Sequence, residues 1–521
     1  ISENTVADNL SSFGAEEKVH TLAMALIGVW EIVLALSLFF FISFRRNNNG
    51  LPMKWPLVGM LPYLVVHRDH LYNWLMDVIT RSKGNFEFHV SVLTTRRIFI
   101  TADSANANYI LNTNFSNYPK GSQFRLKFDL LGDGIFNADF DVWKSQRRVA
   151  QILVNHEKFK KFMIHSAHEK LEKGLMPIIQ HVSRQGLVVD LQDLIQRFTF
   201  DATCLLVSGR DPGCLSIGFP EVVFSKAMGE AQEAIVQRLL RPQIFWKLQR
   251  WANIGMEKNL REAGKVIDQI IHEIIADTKR ELSEKKNDED ENGLHLLASY
   301  MKQGDYNDKT LRDTTLSFLL AGRDTTGVCL TWFFWLISTH KEVSDKIRKE
   351  LDGTLLPHDA KQWKIFDINE TKALPYLHGA LFEALRLFPP VPFELKAPQK
   401  PDVLPSGHHL TPKYEVLISL FCMGRMASIW GEDCLEFKPE RWITEHGTIK
   451  YEPGYKFISF NAGPRSCLGK EVAITQIKTV AASVLHNYDI HVVEGHKVTP
   501  RLTVHLHMQN GLKVRFINRW K

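Results

Sequence analysis

The sequence lacks the features that mark nucleic-acid-binding, nucleotide-binding and repeat proteins. Its 521 residues carry a formal net charge of only +6, with no long Lys/Arg run and no basic stripe interleaved with aromatic residues. No glycine-rich phosphate loop joins a strand-like segment to a helix-like one, and no internal repeat occurs. We therefore expect no nucleic-acid partner and no direct nucleotide binding. A local basic face for an acidic protein partner stays open.

Cysteine is also scarce, and the spacing of the six cysteines matches neither a disulfide framework nor a zinc site. A free cysteine usually behaves as a small buried hydrophobic side chain, which is the expectation for most of them. The six are Cys204, Cys214, Cys329, Cys422, Cys434 and Cys467.

One long apolar run is present near the N-terminus, from Thr21 to Phe44, and Arg45-Arg46 follows it. As a helix, the run is long enough to cross about 30 Å of hydrocarbon. Acidic residues dominate before it, so the positive-inside rule places the main body in the cytosol. No small-residue cleavage site follows, which argues against a cleaved signal peptide. The predicted segments are a lumenal leader (1–20), a transmembrane anchor (21–44), a basic and proline-rich hinge (45–62) and a catalytic domain (63–521).

The remaining chain has the apolar periodicity of a mainly α protein with a minor β part. Residues 86–102 and 416–421, rich in Phe, Val, Ile and Thr, predict short strands. The helix predicted over 308–340 carries Ala321-Gly322 in its middle, where we expect an interruption. The other long helices are predicted at 142–162, 191–207, 259–284, 376–387 and 468–485.

Cys467 differs from the other cysteines because of its loop, FNAGPRSCLG (460–469). Two glycines and a proline shape a tight turn before a predicted helix, and a helix N-terminus favours thiolate over thiol. Arg465 can neutralise a further anion, and Gly469 lets a large group approach the backbone. A thiolate on a rigid loop is a good axial ligand for haem iron. The alternative is a structural cysteine in a glycine-rich turn.

This loop resembles the haem-binding loop of the cytochrome P450 family, Phe-x-x-Gly-x-Arg-x-Cys-x-Gly. The resemblance implies a cytochrome P450 fold preceded by one N-terminal transmembrane helix, with haem as the cofactor and Cys467 as the iron ligand. Trp143 and Arg147 are similar to the family's Trp-x-x-x-Arg pair, which binds the haem propionates together with the Arg matching Arg465. The implied cofactor-binding positions are Trp143, Arg147, Ala321, Phe460, Gly463, Arg465, Cys467 and Gly469.

A second family motif stands upstream of this loop. Glu383 and Arg386 are spaced to lie on one helix face, where alone they would be read as an exposed ion pair. With Arg441, in the segment FKPERW (437–442), they resemble the family's Glu–Arg–Arg network. The resemblance implies that this network holds the fold around the haem without touching substrate.

A third motif, AGRDTT (321–326), resembles the family's oxygen-activating turn. The resemblance implies that Thr325 hydrogen-bonds the bound O₂ and that Asp324 takes part in delivering protons. A glycine within a helix costs about 1 kcal/mol relative to alanine, so Gly322 calls for a reason. We expect the small residues here to leave room for O₂. The alternative is a Ser/Thr-rich helix with surface charges.

The segments SNYPKG (116–121), LGDGIFNAD (131–139) and TWFFWL (331–336) resemble a plant branch that includes fatty-acid ω-hydroxylases and mid-chain alkane hydroxylases. We therefore expect hydroxylation of a long-chain aliphatic lipid by O₂, with mid-chain alkane hydroxylation in cuticular wax biosynthesis as the first candidate. Fatty-acid ω-hydroxylation and oxidative phenol coupling of an alkaloid precursor are the alternatives. Retention of Asp324, Thr325 and Cys467 argues against an isomerase or a haem-free membrane scaffold.

The same resemblance implies a membrane enzyme of the endoplasmic reticulum with one span and a cytosolic catalytic domain. Electrons would come from NADPH through NADPH-cytochrome P450 reductase, for which the basic side chains Lys144, Arg147 and Arg148 suit docking; the alternative is an ordinary solvated face. Arg125 and Lys127 either meet a substrate carboxylate or reach solvent. The positions implied to face substrate are Phe124, Phe128, Phe318, Val391, Phe393 and Leu502.

Overall fold

The computed structural model describes residues 31, 34, 35, 37, 38, 50–55, 58–90, 97–284, 295–355 and 361–520. The predicted leader and nearly all of the predicted anchor lie outside these residues. In the part of the chain that is described, no helix combines the length and the apolar character needed to cross a bilayer.

Helices form most of the fold, as the periodicity predicts. They are α1 (Leu61–Val66), α2 (Leu71–Arg81), α3 (Ser104–Asn108), α4 (Gly121–Lys127), α5 (Phe140–Asn155), α6 (Glu157–Lys170), α7 (Met176–Arg184), α8 (Leu191–Ser208), α9 (Val223–Leu240), α10 (Gln243–Ala252), α11 (Gly255–Glu284), α12 (Leu296–Met301), α13 (Asp308–Thr339), α14 (Lys341–Gly353), α15 (Ile368–Lys372), α16 (Pro375–Leu387), α17 (Leu420–Met423), α18 (Ala427–Trp430) and α19 (Lys470–Asn487).

The β part is small and is divided among three sheets. Its strands are β1 (Asn85–His89), β2 (Arg97–Thr101), β3 (Val189–Asp190), β4 (Phe393–Lys396), β5 (Asp402–Val403), β6 (His409–Leu410), β7 (Tyr414–Ser419), β8 (Tyr488–Val492) and β9 (Lys513–Asn518). A four-stranded sheet has the order β1-β2-β7-β4, with β2 and β7 parallel and Phe99 opposite Val416. The other sheets have the orders β3-β9-β8 and β5-β6. The four-stranded sheet joins residues about 300 positions apart, so these strands pair only when the chain folds as a whole.

Two sequence predictions about helices were wrong. Residues 142–162 do not form one helix, because His156 has an extended backbone and separates α5 from α6. The segment Ala321-Gly322 does not interrupt α13, which runs on through both residues. Its N-terminus is capped by the Asn307 side chain, which accepts a hydrogen bond from the Thr310 N–H at 2.8 Å.

Helix α13 joins two hydrophobic cores. Its N-terminal half, with Leu316 and Leu319, packs into a core shared with α8, α9 and α11. Its C-terminal half, with Leu330 and Phe333, packs into a second core shared with α16 and α19. The segment 321–326 lies between the two cores. Burying apolar side chains on both flanks fixes the helix while the segment between them stays open for a site.

Candidate functional site

The Cys467 loop is held by its own backbone. The Cys467 N–H donates to the Phe460 carbonyl at 2.7 Å, closing the loop just before α19. Gly463 has a φ of +65°, and a Cβ at this position would lie 2.0 Å from the Leu111 carbonyl oxygen. No other residue type fits there without moving the neighbouring chain. The predicted tight turn is therefore present, and its glycine is required by close backbone contact.

The Cys467 side chain is exposed and lines a cavity beside the loop. Desolvation raises the pKa of its thiol above the ordinary value, while the Gly469 N–H, Arg147 and Lys470 act in the opposite direction. The backbone N–H at the start of α19 thus favours the thiolate, as expected, but burial of the thiol opposes it. A metal cation at the sulfur would supply the missing stabilisation of the charged form.

A cavity of about 510 Å³ opens beside this loop. Its aromatic walls include Phe382 of α16 and Trp442, and Lys450 and Lys470 add positive charge. Six residues of the predicted haem loop lie on its surface: Phe460, Asn461, Ala462, Gly463, Ser466 and Cys467.

The predicted propionate-binding side chains are also brought together. The Arg465 guanidinium lies 4.6 Å above the Trp143 ring and pairs through Nη2 with Asp139 at 2.9 Å. Its Nε is buried without a hydrogen-bond partner, so one donor of this arginine is left to a further acceptor. Nη2 of Arg147 lies 3.5 Å from the Ser466 hydroxyl. Spare buried cationic donors beside the Cys467 loop fit the acidic groups of a haem.

Helix α13 presents one incompletely buried face, although most of the helix is buried. Ala321 is exposed, and Phe318 and Thr325 are half-buried. These residues follow at spacings of three and four, which places them on one side of the helix. The Thr325 hydroxyl donates to the Ala321 carbonyl at 2.7 Å, so it lies along this face.

Gly322 has a packing role that the motif had not indicated. A Cβ at Gly322 would lie 2.6 Å from Oγ1 and 2.8 Å from Cγ2 of Thr203 on α8. The glycine therefore allows α13 to pack closely against α8, and the expected room for O₂ stays a prediction.

Asp324 points away from the open face into the protein and is fully buried. Its carboxylate accepts hydrogen bonds from Arg323 Nη1 at 2.6 Å and from Gln232 Nε2 at 2.7 Å. Burial alone would raise the pKa of Asp324, but Arg323, His505, His507 and Gln232 hold it below the ordinary value. The carboxylate is thus charged at neutral pH.

Sequence reasoning missed two partners of Asp324. Gln232 stands on a buried apolar face of α9, between Met228 and Ile235, and such a polar residue is a signal that a buried partner exists. His505 lies near the C-terminus, in a segment that had been assigned only to the substrate region. Nothing in its local pattern predicts its contact with α13.

The Glu–Arg–Arg residues form one buried network. Arg386 donates to both Glu383 oxygens at 2.7 Å, and Arg441 Nε reaches Glu383 at 3.3 Å. Trp442 Nε1 donates to the same carboxylate at 2.9 Å, a contact that the motif had not indicated. Glu383 and Arg386 are both fully buried, which excludes the alternative of an exposed ion pair.

The positions predicted to face substrate lie in both cores. Phe128 is buried and stacks on Phe124 at 4.3 Å, whereas Phe393 stacks on Tyr72 at 5.8 Å. Five of the predicted positions keep some exposure: Phe124, Phe318, Val391, Phe393 and Leu502. Their contact with substrate stays a prediction.

Arg125 and Lys127 lie close in sequence to Phe124 and Phe128, and neither places an uncompensated charge in the interior. Arg125 is exposed to solvent, and Lys127 Nζ pairs with the Glu415 carboxylate at 2.9 Å.

Comparison with known proteins identifies the class. Residues 50–514 match the family model described as cytochrome P450. Alkane hydroxylase MAH1 of Arabidopsis thaliana is 39% identical over 502 residues, which cover 94% of this chain and 99% of the relative. Cytochrome P450 86B1 of the same plant is 40% identical over 527 residues, covering 98% and 94%. Noroxomaritidine synthase 1 of Narcissus pseudonarcissus is 39% identical over 502 residues, covering 94% and 96%.

The chain belongs to the cytochrome P450 family and is a haem-thiolate monooxygenase, as the loop motif implied.

Proposed function

We propose that this monooxygenase hydroxylates an unactivated C–H bond of a long aliphatic chain, with mid-chain alkane hydroxylation in cuticular wax formation as the first candidate. The proposal rests on the ion pair between the buried Lys127 and Glu415, which lies near the positions predicted to face substrate. Because Lys127 is neutralised by Glu415, the neighbouring surface offers apolar side chains such as Phe124 and Phe318 rather than a carboxylate anchor. The similarity to a protein named alkane hydroxylase supports the same substrate class.

In this proposal the Cys467 thiolate would hold the haem iron, and Arg465, Arg147 and Trp143 would hold the acidic groups of the haem. When bound, the haem supplies the activation of O₂. Thr325 then provides a hydroxyl on the open face of α13. The charged Asp324 carboxylate accepts a proton and passes it on. The apolar side chains around Phe318 exclude water from the reacting carbon.

Electrons are proposed to come from NADPH through NADPH-cytochrome P450 reductase. Lys144 and Arg148 are exposed on α5, and Arg147 lies between them and the Cys467 loop. An acidic partner bound here would sit next to the sulfur side of the site.

We also propose that the enzyme is held at the endoplasmic reticulum membrane by the span 21–44, with the catalytic domain in the cytosol. Helix α10 supports contact with a lipid surface because most of its exposed side chains are large and apolar: Ile244, Phe245, Leu248 and Trp251, the last 85% exposed. A helix that turns Trp and aliphatic residues to solvent, with basic residues beside them, is typical of a membrane interface.

We keep two other reactions as alternatives to this proposal. Oxidative phenol coupling has support from the similarity to a noroxomaritidine synthase. Fatty-acid ω-hydroxylation would need a cation for the substrate carboxylate, and the exposed Arg125 is the available candidate near Phe124.

The test uses the purified enzyme with reductase and NADPH. Products from an n-alkane, the fatty acid of equal chain length and a phenolic amine are identified by mass spectrometry. Oxidation of the alkane at internal carbons is expected; product from the phenolic amine alone would overturn the proposal. Cys467→Ala is the matched control: it is expected to abolish the thiolate-type carbon monoxide difference spectrum and all product. A spectrum that survives would show a different axial ligand.

A further inference from the structure

Two histidines of the C-terminal hairpin (500–508) reach the Asp324 carboxylate. Nδ1 of His505 lies 3.5 Å from Oδ2 of Asp324 and 3.2 Å from Oε1 of Gln232. A ring nitrogen of His507 lies within 4.8 Å of both the Asp324 carboxylate and the His505 ring. His505 is buried and His507 is half-buried. The three side chains therefore lead from the interior of α13 to a position that solvent reaches.

The hairpin is fixed against α13, so these contacts are built into the fold. Trp332 of α13 donates from Nε1 to the carbonyl of Leu506, the residue between the two histidines, at 2.6 Å. The Leu506 N–H donates to the Pro390 carbonyl at 2.9 Å. The Met508 N–H donates to the Gln192 side chain at 2.7 Å. Because Leu506 and Met508, the two neighbours of His507 in the chain, are tied to other elements, the imidazoles keep their positions relative to Asp324.

A carboxylate and two imidazoles are also a ligand set for a divalent cation. Here, however, each Asp324 oxygen already accepts a short hydrogen bond, Oδ1 from Arg323 and Oδ2 from Gln232. A cation would have to displace these donors and lie beside the buried Arg323 guanidinium. Like charges at such a distance repel strongly in a protein interior. The arrangement therefore favours a hydrogen-bonded chain over a metal site.

We propose that His507 and His505 relay protons from solvent to Asp324 during turnover. Reduction of one oxygen atom of O₂ to water consumes protons, and the open face of α13 is lined mainly by apolar side chains that cannot supply them. A neutral imidazole accepts a proton on one ring nitrogen and releases another from the second, so its charge is restored after each transfer. Asp324 gains that proton and returns to its charged form when it passes the proton on. The electrons still arrive through the reductase.

The surroundings keep both imidazoles neutral between transfers. Burial lowers the pKa of His505, with Asp324 acting in the opposite direction and Arg323 adding to the decrease. Burial also lowers the pKa of His507 to about 4, and Arg501 faces it from the hairpin. Arg501 in turn lies 3.4 Å from Glu233. His505 acts through Asp324 and is thus a positioning residue rather than a catalytic one.

His505→Asn separates a relay from a merely structural hydrogen bond. The asparagine amide nitrogen takes the place of Nδ1 and can still donate to Gln232, but an amide does not titrate. With reductase and NADPH, hexadecane and hexadecanoic acid serve as probes. We expect several-fold less product per NADPH, more hydrogen peroxide and a larger solvent isotope effect on NADPH oxidation. The carbon monoxide difference spectrum and the unfolding midpoint should not change.

The matched control is His491→Asn. His491 is an exposed histidine on β8, so this variant should leave all of these values unchanged.

An infrared titration supplies a readout that does not depend on turnover. The carboxyl band of Asp324, assigned by its loss in Asp324→Asn, is followed against pH in the parent enzyme and in His505→Asn. Because His505 helps to lower the pKa of Asp324, the midpoint should move upward in the variant. An unchanged midpoint together with unchanged coupling and isotope effect would overturn the relay. Absence of product from both probes in the parent enzyme would instead overturn the proposed substrate class, since NADPH oxidation and the titration still report on the relay.

Discussion

Two buried carboxylates, Glu383 of α16 and Asp324 of α13, differ in their surroundings. Glu383 accepts hydrogen bonds from two arginines, an indole and a backbone N–H. Its main partner, Arg386, also donates to the carbonyls of Cys434 and Glu436. Asp324 has one arginine, one amide and a neutral imidazole at 3.5 Å. The first carboxylate is saturated by groups that never change charge, whereas the second touches a group that titrates.

This difference separates structural from chemical use of a buried charge. A carboxylate locked between arginines stabilises one conformation because removing any partner leaves an uncompensated charge in the interior. A carboxylate next to neutral imidazoles keeps a route by which protons move. A buried carboxylate thus stabilises the structure at Glu383, whereas at Asp324 we propose that it serves the reaction.

Arg386→Ala should have the largest effect on stability. It leaves Glu383 charged and buried with only Arg441 as its cation, which should lower the free energy of unfolding by about 3–5 kcal/mol and reduce haem content. The measurement is urea denaturation together with the carbon monoxide difference spectrum. Asp141→Asn is the control, because Lys144 and Asp141 form a pair of the same i,i+3 spacing that is exposed to solvent. It should cost less than about 1 kcal/mol. Equal effects would show that burial of the Glu383 network adds nothing.

Gly322→Ala should have an intermediate effect on the α13 side. The added methyl group meets Thr203 at 2.6 Å, and such overpacking costs about 1–3 kcal/mol, partly offset by the gain of about 1 kcal/mol in helix propensity. We expect a net loss of about 1–2 kcal/mol by thermal or urea denaturation. The double variant Gly322→Ala/Thr203→Ala removes the two closest contacts and should recover most of it. A different result would favour the expected role of making room for O₂. In that case Gly322→Ala would lower product per NADPH without lowering stability, and adding Thr203→Ala would not restore it.

The parts of the structure that the sequence could predict are the local ones. The Cys467 loop and the Glu383–Arg386 pair are local motifs whose residues depend on short-range geometry, and the structure brings each together as expected. The bounds of α13 and α16 were predicted to within one residue, because capping and proline signals mark their ends. The family assignment followed from these motifs.

The contacts of Asp324 could not be predicted in this way. Gln232 and His505 come from α9 and from the C-terminal hairpin, and their approach to α13 depends on packing between distant parts of the chain. The packing contact of Gly322 was missed for the same reason, since its neighbour Thr203 lies on another helix. A single sequence reports which residues carry chemistry, but not which long-range neighbour each of them meets.

Thr325→Ala should have the smallest effect on stability and a distinct effect on chemistry. Thr325 and Thr331 lie on the same helix, and each hydroxyl donates to the carbonyl four residues earlier at 2.7 Å. They differ in surroundings, because Thr331 is buried and Thr325 lies on the open face. We expect Thr325→Ala to cost less than about 1 kcal/mol of unfolding free energy. It should nevertheless lower product per NADPH several-fold, with the carbon monoxide difference spectrum unchanged.

Thr331→Ala is the matched control for that variant. It removes the same type of hydroxyl-to-carbonyl hydrogen bond from α13, so any effect of helix geometry alone should appear in both variants. It also leaves a small cavity in the core, so its stability should fall at least as far as that of Thr325→Ala. Coupling, measured as product against NADPH consumed, should stay at the parent value. If both variants uncoupled the enzyme equally, the open face of α13 would have no special part in oxygen chemistry, and the contrast between Glu383 and Asp324 would lose its functional meaning.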